Sequence, residues 1–162
     1  LEDLILKLNA SEHIHTIRIH TRLPVVIPNR INPGLISWIK QCKKKLVFVL
    51  HINHPNEIND EVQQYISKIK LKHTVLLNQS VLLKRVNDSS KILTLLAEKL
   101  FETGVLPYYL HLLDPVKGTA HFSVSASKGI EIIKDHFPLD QLKIHIRFGF
   151  LKLCCSKHKW RP

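Results

Sequence analysis

Four clusters of polar side chains, each following a short apolar run, hold the residue types in this chain that could do chemistry. They read His20-Thr21-Arg22, His51-Ile52-Asn53-His54-Pro55-Asn56-Glu57, Asn78-Gln79-Ser80 and His111-Leu112-Leu113-Asp114. Imidazole and amide groups can hydrogen-bond a polar ligand, and a carboxylate can pair with a cation by a charge-assisted bond. His51, His54 and Glu57 could be drawn as a metal cluster, but Pro55 breaks the helix that would set them on one face. His13, His15 and His20 alternate with other residues as strand positions do, and are expected to be partly exposed. The chain has no GxGxxG, GxxxxGK[ST] or HExxH motif, so phosphate loops of those kinds and a zincin helix are unsupported.

These clusters need elements to position them. The apolar runs lie at 16–19, 46–50, 74–77 and 106–110 and read as strands, the run at 46–50 without alternation, as a strand buried on both faces does. Between them the spacing predicts helices. Asn32-Pro33 opens one with a cap residue and a proline, with Leu35, Ile36, Trp38 and Ile39 as its buried face. Residues 59–71 form another, with Val62, Tyr65, Ile66 and Ile69 inward. A third runs over 88–104, with Ile92, Leu93, Leu95, Leu96, Leu100 and Phe101 on one side and Gly104 as its stop. A fourth covers 125–136, and residues 1–10 read as the end of a preceding helix. Pro24 and Pro28 argue against a helix between the first strand and Asn32. The order β-α-β-α-β-α-β-α implies right-handed crossovers and a parallel sheet. In such folds reactive side chains collect at the carboxyl ends of the strands. The expected fold class is α/β, a partial (β/α) barrel of about four consecutive units over residues 1–138, since 162 residues are few for a closed eight-unit barrel of about 250.

The composition is 44% hydrophobic and 23% charged, which excludes a disordered chain. No apolar stretch approaches the roughly 20 residues of a membrane span. No signal peptide is visible, and three cysteines, with Cys154 and Cys155 adjacent, make no disulfide framework, so a cytoplasmic protein is expected. The net charge of +11 invites a nucleic-acid reading, but residues 141–162 alone contribute +6 of it. Lys43-Lys44-Lys45 sits at an expected helix end, where cations complement the dipole and face solvent. Nucleic acid is therefore not the expected partner. Residues 139–162 read as an irregular basic tail, and the absence of any methionine, including at Leu1, fits a fragment.

The polar tips extend into longer blocks that resemble a known family. Residues 17–31, Ile-Arg-Ile-His-Thr-Arg-Leu-Pro-Val-Val-Ile-Pro-Asn-Arg-Ile, resemble the RIxTRxPVVxPxRI block of the lysine 2,3-aminomutase family. Residues 51–58 resemble its HxNHPNEI block, and 77–88 its NQSVLLxGVND block, with Arg85 where glycine is usual. Pro107-Tyr108-Tyr109-Leu110-His111 through Asp114, Gly118 and His121-Phe122 resembles PYYLHxxDxVxGxAHF. The four blocks span about residues 13–137 in order. The subtype most resembled is the bacterial enzyme that makes β-lysine for elongation factor P.

The resemblance implies a radical S-adenosylmethionine enzyme with a 4Fe–4S cluster and pyridoxal phosphate, which moves the amino group of L-lysine from the α to the β carbon. It implies that Asp114 binds the ε-ammonium of lysine, that His51 and Gln79 lie at S-adenosylmethionine, and that His111 lies near pyridoxal phosphate. A turn aspartate before Pro115 and strand-end caps are the structural alternatives for these residues. Arg22 and Arg30 could be ion-pair partners or anion ligands. The family's CxxxCxxC motif is absent, and Cys42, Cys154 and Cys155 do not imitate it, so no metal ligand is expected in this chain. The imine-forming lysine is unrecognisable, since Lys143 and Lys152 lack its context; a shifted reading frame in the tail would account for that. The expectation is a carboxyl-terminal portion, inactive alone, with a missing amino-terminal half or a second copy as partner. The rivals are a subunit of a split aminomutase, an inactive remnant, and a basic RNA-binding module on the same scaffold.

Overall fold

The strands form because apolar and β-branched runs alternate with capped, amphipathic helical stretches. A computed structural model describes residues 2–136. The expected tail at 139–162, with Lys143, Lys152, Cys154 and Cys155, lies outside the described residues. Helix α1 (Glu2–Ala10) precedes β1 (Thr16–Thr21), α2 (Leu23–Val26) and α3 (Pro33–Gln41). Then come β2 (Lys45–His51), α4 (Asp60–Lys68), β3 (Thr74–Leu82), α5 (Ser90–Thr103), β4 (Leu106–Leu112) and α6 (Ala126–His136). The four strands make one sheet in the order β1-β2-β3-β4, and every pair is parallel. This is the α/β, partial-barrel arrangement that the sequence pattern predicts.

Caps fix the helix ends. Asn32, Asn59 and Ser89 side chains accept from the backbone N–H of Leu35, Val62 and Ile92, which removes orphan donors from the first turns of α3, α4 and α5. Gly104 ends α5 at φ +77°, a left-handed conformation that glycine adopts without a Cβ penalty. Four details differ from expectation. The stretch after β1 is helical for one short turn, because Pro24 sits at its start, where its missing N–H costs nothing. The helix predicted over 59–71 is shorter, with Ile69 as its C-cap. Leu95 and Phe101 face solvent at 44% and 47% exposure, leaving Leu93, Leu96 and Leu100 as the buried stripe of α5. Strand β3 runs on through the polar cluster that was expected to follow it, as far as Leu82, and β4 runs into its own as far as Leu112.

Successive side chains of a strand point to opposite faces, and residues paired in register share one. On one face Ile17, Leu46, Phe48, Leu50 and Leu76 join a core with Trp38 and Ile39 of α3, Val62 and Ile66 of α4, and Leu96 and Leu100 of α5. Leu82, Leu110 and Leu112 continue that face against Leu93 of α5 and Ile132 of α6. The helices thus cover one side of the sheet. The register places Arg18, His20, Val49, His51, Gln79, Tyr109 and His111 on the other side. Among the described residues, no helix is long and apolar enough to cross a membrane.

Candidate functional site

The site is built on a buried amide network on the helix side of the β2 and β3 tips. Asn78 Oδ1 accepts from Ile52 N at 3.0 Å, and its Nδ2 donates to Ile52 O at 3.0 Å and to Ser80 Oγ at 2.9 Å. Ser80 Oγ donates to the same Ile52 carbonyl at 2.7 Å. Asn53 Oδ1 accepts from Val81 N at 2.8 Å. Asn87, wholly buried, donates to the carbonyls of Asn53 and Val81 and accepts from Leu83 N. Buried polar groups are tolerable only when bonded in this way. Because Asn78 and Ser80 are anchored on the helix side, Gln79 between them must face the other way.

The turn after β2 is held separately. Glu57 Oε1 accepts from the N–H groups of Asn53 and His54 at 2.8 and 2.9 Å. Its Oε2 accepts from Arg22 Nη2 at 2.9 Å, just beyond β1. His54 Nδ1 accepts from Asn56 N, and Lys99 of α5 donates to the carbonyls of Pro55 and Ile58. His54 and Glu57 are therefore spent on the turn itself. Among the described residues, no group of three or more His, Cys, Asp or Glu could hold a metal ion. Arg22 takes the ion-pair alternative of the two left open for it.

The helix-free face gathers three of the four expected site residues. His51 and Gln79 are partners in register, and His111 pairs with Val81 two residues further along β3. The His20 and His51 rings meet edge to face, 6.0 Å between centroids. The Nε2 atoms of His51 and His111 are buried with no hydrogen-bond partner among the described residues. Burial lowers the His51 pKa, and the nearby cationic forms of His20, Arg22 and His111 lower it further. Burial also lowers that of His111, against the opposing pull of Asp114. Asp114 is exposed beyond the end of β4, beside His111, and has no bonded partner among the described residues.

Two groups escaped the sequence reading. One is the amide network, signalled by the alternation of Asn78, Gln79 and Ser80. The other is Arg18 with two tyrosines: its guanidinium lies 5.1 Å from the Tyr108 ring, whose hydroxyl accepts from that of Tyr109 at 3.1 Å. A register shift between Asn78 and Gln79 lets Tyr109 pair with Gln79.

No family model matches the chain. Curated relatives do. The L-lysine 2,3-aminomutase of Haemophilus influenzae is 49% identical over 131 residues, 81% of this chain and 39% of the relative. That of Buchnera aphidicola is 50% identical over 75% of this chain and 36% of the relative, and that of Escherichia coli 44% over 83% and 40%. Over about four fifths of its own length, then, this chain is similar to L-lysine 2,3-aminomutases. It spans about 40% of the length of the aminomutases it matches. The described cysteine, Cys42, is buried with its thiol toward Asn9 and the Lys44 carbonyl, so it is placed for packing and does not fit cluster ligation. The unpartnered imidazole nitrogens of His51 and His111, by contrast, fit a ligand with hydrogen-bonding groups.

Proposed function

We propose that this chain is the carboxyl-terminal portion of a cytoplasmic lysine 2,3-aminomutase that converts L-lysine to β-lysine. When bound, S-adenosylmethionine with a 4Fe–4S cluster would supply a radical, and pyridoxal phosphate would hold the migrating amino group. The chain's own part is to bind and orient. His51 and Gln79 would hydrogen-bond S-adenosylmethionine on the helix-free face, His111 would contact pyridoxal phosphate, and Asp114 would pair with the lysine ε-ammonium. The cluster ligands and the imine-forming lysine would come from outside the described residues. Among the described residues, the outer edges of β1 and β4 have no strand neighbour in the sheet, which supports further strands completing the barrel.

One observation carries this reading. Two buried imidazole nitrogens share the helix-free face with the Gln79 side chain and have no hydrogen-bond partner among the described residues. Leaving buried polar atoms unmade costs about 1–3 kcal/mol each, a cost that a ligand would remove. The test is NMR on the full 162-residue chain with S-adenosylmethionine and, separately, with lysine. The expected result is a shift of the His51 and Gln79 side-chain signals with the first. With lysine, the His111 signal should shift, and Asp114→Asn should abolish that shift. Unmoved signals at millimolar ligand would overturn the assignment.

A further inference from the structure

Nothing in the hydrogen-bonding of the His51 ring explains where it sits, since its Nε2 is unpartnered; the backbone and charges around it must do so. Glu57 touches both. One carboxylate oxygen takes the two N–H groups of Asn53 and His54, the residues that carry the chain away from His51. The other takes the Arg22 guanidinium, the first group beyond β1. Its side chain is 20% exposed, so its bonds are shielded more than those of a surface pair. The Arg22 side chain is 50% exposed and would otherwise be free to leave.

We propose that Glu57 is a positioning residue for His51: it fixes the β2 turn and latches Arg22 beside the imidazole, joining the β1 and β2 tips into one wall of the helix-free face. The latch is a property of the protein without ligand; only its value for S-adenosylmethionine rests on the functional reading above. His20 of β1 meets His51 ring to ring, and since Thr21 pairs with Leu50, Arg22 is the next residue along beside His51; these two and His111 of β4 are the charged or titratable groups that act on the imidazole. Of these, Arg22 is the one Glu57 holds. Each cation disfavours a proton on the imidazole.

The experiment follows the His51 ring signal of the full chain by NMR against pH, with His51→Gln to assign it. Arg22→Gln removes the guanidinium at an exposed position and should raise the His51 midpoint. Glu57→Gln keeps an oxygen for the Asn53 and His54 N–H groups but loses the ion pair, and should raise the midpoint in the same direction. The double variant should add little to either. Glu57→Asp, which keeps the charge on a shorter stem, serves if Glu57→Gln fails to fold; it too should raise the midpoint. Overturning results are an unchanged or lowered midpoint in the Glu57 variants, or additive shifts in the double. An Arg22→Gln variant with the wild-type midpoint would also overturn it. These outcomes need no ligand, so failure of the latch and failure of S-adenosylmethionine binding are separately visible.

Discussion

The β2 and β3 tips and the β4 tip come from equally polar stretches, yet the structure spends them differently. At β2 and β3, Asn53, Asn78, Ser80 and Asn87 bond across the two strands and are buried or half-buried. At β4, His111 keeps an unpartnered nitrogen, Asp114 is exposed without a bonded partner, and the following turn bonds mostly within itself. The Lys84 N–H to Phe122 carbonyl bond is one link between the two regions. Backbone strain follows the same division. The pinned region holds Arg85 at φ +63°, between the Asp88 side chain and the Leu83 turn, whereas the looser region meets its positive φ with Gly118. Strained residues persist where their surroundings over-determine them. Apart from His51, whose ring keeps an unpartnered nitrogen on the helix-free face, the first region is a scaffold that positions neighbours, and the other presents groups that still have bonds to make.

Breaking the scaffold should have the largest effect. Asn78→Ala leaves the Ile52 N–H without its partner in the core and its carbonyl with Ser80 alone, and should cost about 2–4 kcal/mol in urea unfolding. A loss below about 1 kcal/mol would mean the two regions are less different than described. Arg85→Gly should act in the opposite sense. Left-handed strain of about 1–2 kcal/mol is relieved, against roughly 0.4–1 kcal/mol for the extra freedom of glycine in the unfolded chain. A net gain of about 0.5–1 kcal/mol is expected by the same measurement.

The smallest effect is in pH dependence. His51 and His111 have folded pKa values below the ordinary 6.5, so near that pH the unfolded chain binds more protons. Stability from these residues is present above about pH 6.5 and is lost as pH falls through that value toward the folded pKa values. The urea midpoint should therefore fall from pH 7.5 to 5.5. A His51→Gln, His111→Gln double variant should show a shallower fall. An equal slope in both proteins would place the titration elsewhere.

Much of this was legible in the sequence. Apolar runs, the cap at Asn32, and Gly104 announce the βα units, because local propensity and capping depend on near neighbours. The grouping of His51, Gln79 and His111 follows once the strands are aligned in parallel. The roles of Asn78, Ser80 and Asn87 were not legible, because an amide reads as a tip residue until its partner across the sheet is known. Strand ends failed for the same reason: polar side chains suggest a turn, but their partners let the ladder continue. An ion pair was one of two options for Arg22, and Glu57 as its partner was not legible, since a pair 35 residues apart depends on the packing of two tips.

The bond from Ile52 N to Asn78 spans 26 positions of chain, and that from Asn87 to Asn53 spans 34. During synthesis, the β2 tip therefore emerges well before the residues that complete it. Its peptide groups must wait for water or transient partners while α4 and β3 are made. The β2 tip is thus a late-setting joint: its geometry matures when β3 docks, and slow docking leaves that stretch open to chaperones and proteases longest.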